Sequence, residues 1–274
     1  MTIRFLGTSA GWPLPRLGCN CEICTSEDQK DRRLRPSLLV NDFLLIDAGP
    51  DLYHQLQPLA IGPKLEAVLI THAHPDHVLG FHDLSHIYNR FSRPKGRGSL
   101  FLAQNSFARN KEEKLKVFAP HEVINGIKKH FEFVTFNFNF IPTEPSNSFD
   151  LDHLKITYFE VEHTKRPCFG IKIKGEKLIS YIPDFKKISK PSQDICRSCD
   201  VLIMDGSSLG SKGQVFSHIS VIDAISLARE LKPKKVFFTH LGHMTGRHKD
   251  LEEFVQEKGG PGFHIAYDGL ELNL

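Results

Sequence analysis

Nowhere in the 274 residues does an uninterrupted apolar run approach the roughly 20 residues needed to cross a bilayer. The chain enters a strand-like Ile3-Arg4-Phe5-Leu6 without a basic and apolar leader ahead of it. A soluble, cytoplasmic protein with no membrane partner is therefore the expectation. A large excess of charge is also missing, since 35 basic residues against 32 acidic ones leave only +3. That balance argues against a stable nucleic-acid partner, yet it is compatible with a small anionic substrate met by a locally positive pocket. Sequence repeats are absent, and the glycine-rich turn Gly7-Thr8-Ser9-Ala10-Gly11 is neither a P-loop nor a dinucleotide fingerprint. Such a turn can approach a phosphate or simply reverse the chain. A disulfide framework is disfavoured as well. Cys19, Cys21 and Cys24 share one short polar loop, Cys196 and Cys199 form a second close pair, and Cys168 stands alone.

What is present is the composition of a globular enzyme, 40% apolar and 24% charged, at a length that suits one large α/β domain or two small ones. The most informative stretch is Thr71-His72-Ala73-His74-Pro75-Asp76-His77. It follows Leu65 to Ile70, an apolar run that reads as a buried strand. Imidazoles at 72, 74 and 77 and a carboxylate at 76 thus emerge together at a strand end. They suit zinc, manganese or iron, and so many polar groups beside an apolar strand are costly if nothing pairs with them. The bland alternative is a solvent-facing turn with a chance cluster of histidines. In Gly18 to Cys24, three thiolates suit a tetrahedral zinc that lacks one ligand, to be supplied from elsewhere; reduced surface thiols are the alternative.

The remaining pattern alternates strands and helices. Strands are expected at 37–40, 43–47, 115–119, 154–160, 169–173, 178–184, 201–206 and 235–239. Helices are expected at 52–59 with Asp51 as cap, 78–88, 122–131, through Ala228 and Leu231, and at 251–257. Asn41-Asp42 reads as a hairpin turn without the usual glycine. His82 and His86 lie one turn apart beyond the histidine motif and are modest candidates for substrate contact. Arg32, Arg33 and Arg35 belong to a charged segment that is either a solvated loop or a face toward an anionic substrate. Residues 90–116 form a variable loop region that could guard the site. Phe131 to Phe140 alternates phenylalanine with other residues, the period of a strand with one buried face, in the core or in a subunit contact. The second option raises the expectation of a homodimer. Cys196 to Cys199 is read as a plain loop.

Residues 71 to 77 match the His-x-His-x-Asp-His signature of metallo-β-lactamase-fold hydrolases. The Cys-x-Cys-x-x-Cys loop ahead of it resembles that of the phosphonate-pathway cyclic phosphodiesterases, with a related loop in the PQQ biosynthesis protein B group. The resemblance covers essentially the whole chain. It is strongest at 7–24, 71–77 and 239–243, and weak over 90–150. It implies an α/β fold, the αββα sandwich of two mixed β-sheets flanked by helices, as a single domain over 1–274. It further implies one metal on His72, His74 and His163, a second on Asp76, His77 and His240, and Asp184 between them. A structural zinc would take Cys19, Cys21, Cys24 and His243. By the same resemblance the catalytic ions are two divalent metals, zinc or manganese, that activate a water. Asp76 would also orient or deprotonate that water, and His218, a non-ligand, would stabilise the transition state or protonate the leaving alkoxide. Asp47 would support the metal loop from behind, with Asp205 as another supporting acid and Glu160 and Glu162 less well placed. Phe185 departs from the threonine or serine usual after the bridging carboxylate.

The implied reaction is hydrolysis of a small phosphodiester, with a ribose cyclic phosphate as leading substrate. RNA is less favoured because the long basic extension of the transfer-RNA processing relatives is missing. The alternatives are another hydrolase of the fold, a thioesterase or broad phosphodiesterase, and a PQQ biosynthesis protein B-like accessory or redox protein.

Overall fold

Short apolar runs that end in turn residues become strands here, and they sort into two seven-stranded sheets. The computed structural model describes residues 1–60, 64–85, 114–133, 135–210 and 217–274. The first sheet runs in the order β14 (Glu271–Asn273), β1 (Thr2–Gly7), β2 (Ser37–Val40), β3 (Leu44–Ile46), β4 (Ala67–Leu69), β5 (Leu115–Pro120) and β6 (Phe138–Thr143). The second runs β13 (Phe263–Ile265), β12 (Lys235–Thr239), β11 (Val201–Asp205), β10 (Leu178–Ile182), β9 (Cys168–Lys174), β8 (Leu154–Val161) and β7 (Ser148–Leu151). Both are mixed. Pairing is parallel from β3 to β6 and from β10 to β13, and antiparallel through the other strands.

Continuous apolar strands such as Val201-Leu202-Ile203-Met204 are explained by burial on two faces. Val201 and Ile203 enter the cluster that also holds Phe5, Tyr158 and Tyr181, between the sheets. Leu202 and Met204 enter a second cluster with Ala224 and Ala228 of α6 (Val221–Leu231) and Leu251 and Val255 of α7 (His248–Gly259). On the other side, α1 (Leu52–Leu56) and α4 (His121–His130) contribute Leu52, Leu56, Val123, Ile124 and Ile127. The result is the αββα sandwich.

Several local expectations change. Asn41 and Asp42 both adopt positive φ, 50° and 61°, so the hairpin turn uses the two residue types that tolerate this region after glycine. Asp51 does not cap α1; its carboxylate accepts instead from Arg35 N at 2.8 Å and Arg35 Nη1 at 2.9 Å. The helix after the histidine motif is interrupted: α2 (Pro75–Val78) stops, Leu79-Gly80 turns, and the described residues 81–85 are helical again, as part of α3. Gly80 is required there, since a Cβ would lie 2.3 Å from the Gly49 carbonyl oxygen. The phenylalanine run is not one strand, because a 3-10 turn at Thr135–Asn137 precedes β6. Phe131, Phe138 and Phe140 gather around Phe81, with ring centroids 5.9, 5.1 and 6.4 Å from it. Cys196 ends a helix, α5 (Lys190–Cys196), and both it and Cys199 are buried, which corrects the loop reading. β7 and β14 were not expected, being short and polar. His86 and residues 90–113 lie outside the described residues.

Candidate metal centre

Five strand ends on the inner edge of the two sheets deliver the polar groups. His72, His74, Asp76 and His77 follow β4, His163 follows β8, Asp184 follows β10, Asp205 ends β11 and His240 follows β12. Because β4 and β12 are surrounded by apolar neighbours, most of these side chains are shut off from bulk water, and only His74 and Asp76 keep partial access to it. His72 and His77 are fully buried, and His163, Asp184 and His240 nearly so. His240 adopts a left-handed backbone, φ 58°, an uncommon conformation for histidine that turns the chain sharply at the strand end.

Three overlapping donor groups result. His72, His74, His163 and Asp184 offer atoms that all lie within 4.8 Å of one another, and so do Asp76, His77 and His240, and Asp184, Asp205, His218 and His240. Asp184 stands between the first two. Its Oδ2 is 3.3 Å from His72 Nε2, 3.7 Å from His240 Nε2 and 3.9 Å from His77 Nε2, while Oδ1 is 3.0 Å from His163 Nδ1. Asp76 Oδ2 is 3.4 Å from His77 Nε2 and 3.5 Å from His240 Nε2. Ligands about 2.0–2.1 Å from a tetrahedral zinc stand about 3.3 Å apart, so the spacing matches a shared cation. The satisfaction of these atoms makes the same point. His77 Nε2, both ring nitrogens of His240 and Asp184 Oδ1 are buried without a hydrogen-bond partner. Buried polar atoms rarely stay unpaired, and a divalent ion would take up His77 Nε2, His240 Nε2 and Asp184 Oδ1 among them.

The supports are already in place. Asp47, at φ 60° after β3, accepts the Thr71 backbone N–H at 2.9 Å through Oδ1 and the His77 Nδ1–H at 2.8 Å through Oδ2. In the neutral imidazole that keeps the proton on Nδ1 and leaves the lone pair on Nε2, so a cation there would take the place of the Nε2 proton. His163 Nδ1 lies 2.8 Å from the Ser217 carbonyl oxygen, in position to donate to it. His218 Nδ1 donates to Asp205 Oδ2 at 2.7 Å and lies 2.9 Å from Asp184 Oδ1. Asp205 is itself held by the Ser207 and Phe185 backbone N–H groups. The Phe185 side chain therefore replaces a hydroxyl without leaving this corner unsupported.

Electrostatics follow the geometry. Burial pushes His72 down to about 3 and His74 down to about 4, the latter helped by neighbouring His163, so both are neutral and able to ligate. Burial also disfavours charge on His77, but Asp47 and Asp76 outweigh it and hold its pKa well above the usual value. For His218, burial is likewise overcome, by Asp205 and Asp184, and its pKa rises to about 10. Asp184 is held well below the carboxylate range: burial opposes ionisation, and His240, His218 and His72 prevail.

A separate group joins Cys19, Cys21 and Cys24 to His243. His243 Nδ1 is 3.6 Å from Cys19 Sγ and 3.8 Å from Cys21 Sγ. Zinc at about 2.3 Å from sulfur and about 2.0 Å from nitrogen needs close to this separation. Arg16 Nη1 donates to His243 Nε2 at 3.0 Å, which places the ring proton on Nδ1; an ion on Nδ1 requires that donor to move away.

Other candidates are not part of these groups. Arg33 is 2% exposed and donates to Thr8 Oγ1, the Ala266 carbonyl and His248 Nδ1, so it is a structural cation and cannot face substrate. Arg35 pairs with Asp51. His82 is exposed, Glu160 is exposed, and Glu162 pairs with Lys187 on the surface. Beside the His163 loop lies a cavity of about 560 Å³ whose walls include Lys165 and Arg166 but also Glu122, Glu144 and Glu160, so its charge is mixed. The direct cation network of Arg33 was missed from sequence, where a charged run looks solvated.

The fold and these ligand groups define a metal-binding, metal-dependent hydrolase built on an αββα sandwich. The chain belongs to the beta-lactamase superfamily, whose domain model matches residues 43–241. An octanoyltransferase of Porphyromonas gingivalis is 30% identical over 97% of this chain, which spans only 49% of that protein. Coenzyme PQQ synthesis protein B of a Methylobacterium species is 24% identical over the full length of both. Among solved structures, a diphosphatase from the PhnP family superposes with a TM-score of 0.81 at 26% identity, covering 99% of this chain and 96% of that one. The chain thus closely resembles the PhnP-type group. No helix among the described residues is long and apolar enough to cross a membrane.

Proposed function

We propose that this chain is a phosphodiesterase that hydrolyses a small diester, with a ribose cyclic phosphate as leading substrate. The observation that carries the reading is Asp184, whose buried carboxylate stands within 4 Å of histidines of both sets, His72 and His163 on one side and His77 and His240 on the other. In this reading His72, His74 and His163 hold one divalent ion, Asp76, His77 and His240 hold the other, and Asp184 lies between. Zinc or manganese suits the donors. Bound, the pair would activate water and compensate the charge of the diester oxygens.

The chain's own groups then have distinct tasks. Asp76, partly accessible, accepts a hydrogen bond from the attacking water and aims it. His218 keeps its proton because Asp205 and Asp184 flank Nδ1, which leaves Nε2–H to be donated to the departing alkoxide. Burial around His72 and His77 excludes competing water from the ligand side. Cys19, Cys21, Cys24 and His243 hold a structural zinc that fixes the turn carrying His240. Likeness to the PhnP-family diphosphatase supports phosphoryl chemistry. Full-length likeness to PQQ synthesis protein B supports a second reading, an accessory or redox role on the same scaffold.

Metal analysis of the purified protein, followed by turnover of an aryl phosphodiester and a ribose cyclic phosphate, separates the two. Three ions per chain are expected. Asp76→Ala should abolish turnover, and His218→Ala should cut it by about 10²–10⁴, the range for a lost general acid. A full metal complement with neither diester cleaved would refute the phosphodiesterase reading.

A further inference from the structure

The sequence contains one tryptophan, and it is not in the core. Trp12 is 63% exposed, although the loop that carries it is firmly held. Ser9 N–H donates to the Leu34 carbonyl at 2.8 Å, Ala10 N–H to Leu241 at 3.0 Å, and Ser9 Oγ to the Trp12 carbonyl at 2.5 Å. Arg35 Nε donates to the Gly11 carbonyl at 3.1 Å, and Leu14 exchanges backbone hydrogen bonds with Arg33. An exposed indole on a fixed backbone is pre-organised for a contact that this chain does not itself make.

Its position says which contact. Gly11, the preceding residue, approaches the reacting region so closely that a Cβ there would lie 3.6 Å from Asp76 Oδ2. Adding one Cα–Cα step places the Trp12 Cα within about 9 Å of that carboxylate. The Arg16 guanidinium sits over the indole at 4.7 Å from the ring centroid and covers one face. The rest of the ring, exposed as it is, remains available to a second planar group. Packing beneath the cysteine loop does not account for the indole. Leu14, Ile23 and Cys24 form that small core, and Trp12 is not among them.

We propose that Trp12 is a specificity-determining residue, a platform on which a nucleobase or aryl ring of the diester stacks while its phosphoryl group lies at Asp76. This rests on the phosphodiesterase reading and narrows it: among ribose cyclic phosphates, those bearing a base are preferred. Stacking on an indole is sequence-tolerant because every base has a π face.

The lone tryptophan supplies its own reporter. Metal-loaded protein is titrated with adenosine monophosphate and, separately, with ribose 5-phosphate while indole fluorescence is followed. Saturable quenching by the nucleotide alone is expected; equal responses, or none with the nucleotide, overturn the proposal. In parallel, kcat/KM is measured for adenosine 2′,3′-cyclic phosphate and for a base-free ribose cyclic phosphate. Trp12→Ala should lower the preference for the base-bearing substrate by about tenfold or more, mainly through KM, and Trp12→Phe should restore part of it. An unchanged preference ratio in Trp12→Ala overturns the proposal. If neither diester turns over in wild-type protein, it is the phosphodiesterase reading that fails, and base-dependent quenching still decides whether Trp12 stacks.

Discussion

Asp47→Asn changes one oxygen to an amide nitrogen at a position that favours asparagine, since φ is 60°. The backbone therefore has no reason to move, and the effect is confined to hydrogen bonding. In the native protein Oδ1 accepts from the Thr71 N–H at 2.9 Å and Oδ2 accepts from His77 Nδ1–H at 2.8 Å. If the new NH₂ faces His77, the imidazole must accept through Nδ1, and its proton moves to Nε2. That is the atom 3.4 Å from Asp76 and 3.9 Å from Asp184, so it can no longer bind a cation. If the NH₂ faces Thr71 instead, two donors confront each other in a fully buried corner. Either orientation loses a buried hydrogen bond, at about 1–3 kcal/mol. Loss of an outer partner of a ligating histidine typically costs about 10–100-fold in metal affinity. Zinc affinity by competition with a fluorescent chelator measures the second effect, and urea unfolding of the metal-free protein measures the first. Zinc binding within about twofold of wild type, with unchanged stability, would show that Asp47 does not set the His77 tautomer.

Arg33→Met should destabilise in urea by about 1–3 kcal/mol for each buried partner left unpaired among Thr8 Oγ1, the Ala266 carbonyl and His248 Nδ1, and it also removes the positive charge that acts on Asp268 and Asp31. His248 is depressed to about 4, by burial first and Arg33 next, so in wild type it contributes stability above pH 6.5 that is lost as pH falls toward 4. Without Arg33 that acid loss should shrink and the gap between the proteins narrow below pH 6; a pH-independent gap contradicts the assignment. Cys21→Ser combined with His243→Ala should remove one zinc per chain and lower Tm, by about 2–4 °C for each kcal/mol lost, while the His and Asp groups keep their ions. Gly49→Ala puts a Cβ 2.1 Å from the Asp76 carbonyl oxygen, so a stability loss of about 1–3 kcal/mol with weakened metal uptake is expected.

The site was legible in the sequence wherever a ligand follows an apolar strand directly. His72 to His77 stand at such an end, where periodicity locates the strand and chemistry names candidate ligands, whereas His240 was given its metal role by the resemblance alone. His163, Asp184 and His218 were reached by resemblance, because a lone histidine or acid after a strand carries no spacing signal. Arg33 was misread for a physical reason: its partners Thr8, His248 and Ala266 lie far away in the chain, and a run of basic residues gives no hint that one of them turns inward. The 3-10 turn before β6 was hidden by a pattern that alternates as a strand does, while Phe81, the ring that gathers the phenylalanines, sits in a distant segment. β7 and β14 are edge strands, held by neighbours rather than by their own apolar character.

His240 and His243 stand on the same short turn, with Leu241 between them tied to the first loop by its N–H to Thr8 at 2.8 Å and its carbonyl to Ala10 at 3.0 Å. An ion held at either group settles the conformation of that turn for the other. Such coupling is reciprocal: by whatever factor zinc on the sulfur side tightens cation binding on the imidazole side, the imidazole-side ions tighten zinc by the same factor. If both groups hold ions, depletion by a chelator should proceed in steps that depend on one another, and loss of an ion from the cysteine group should weaken cation binding at the His and Asp group even when every residue of that group is intact.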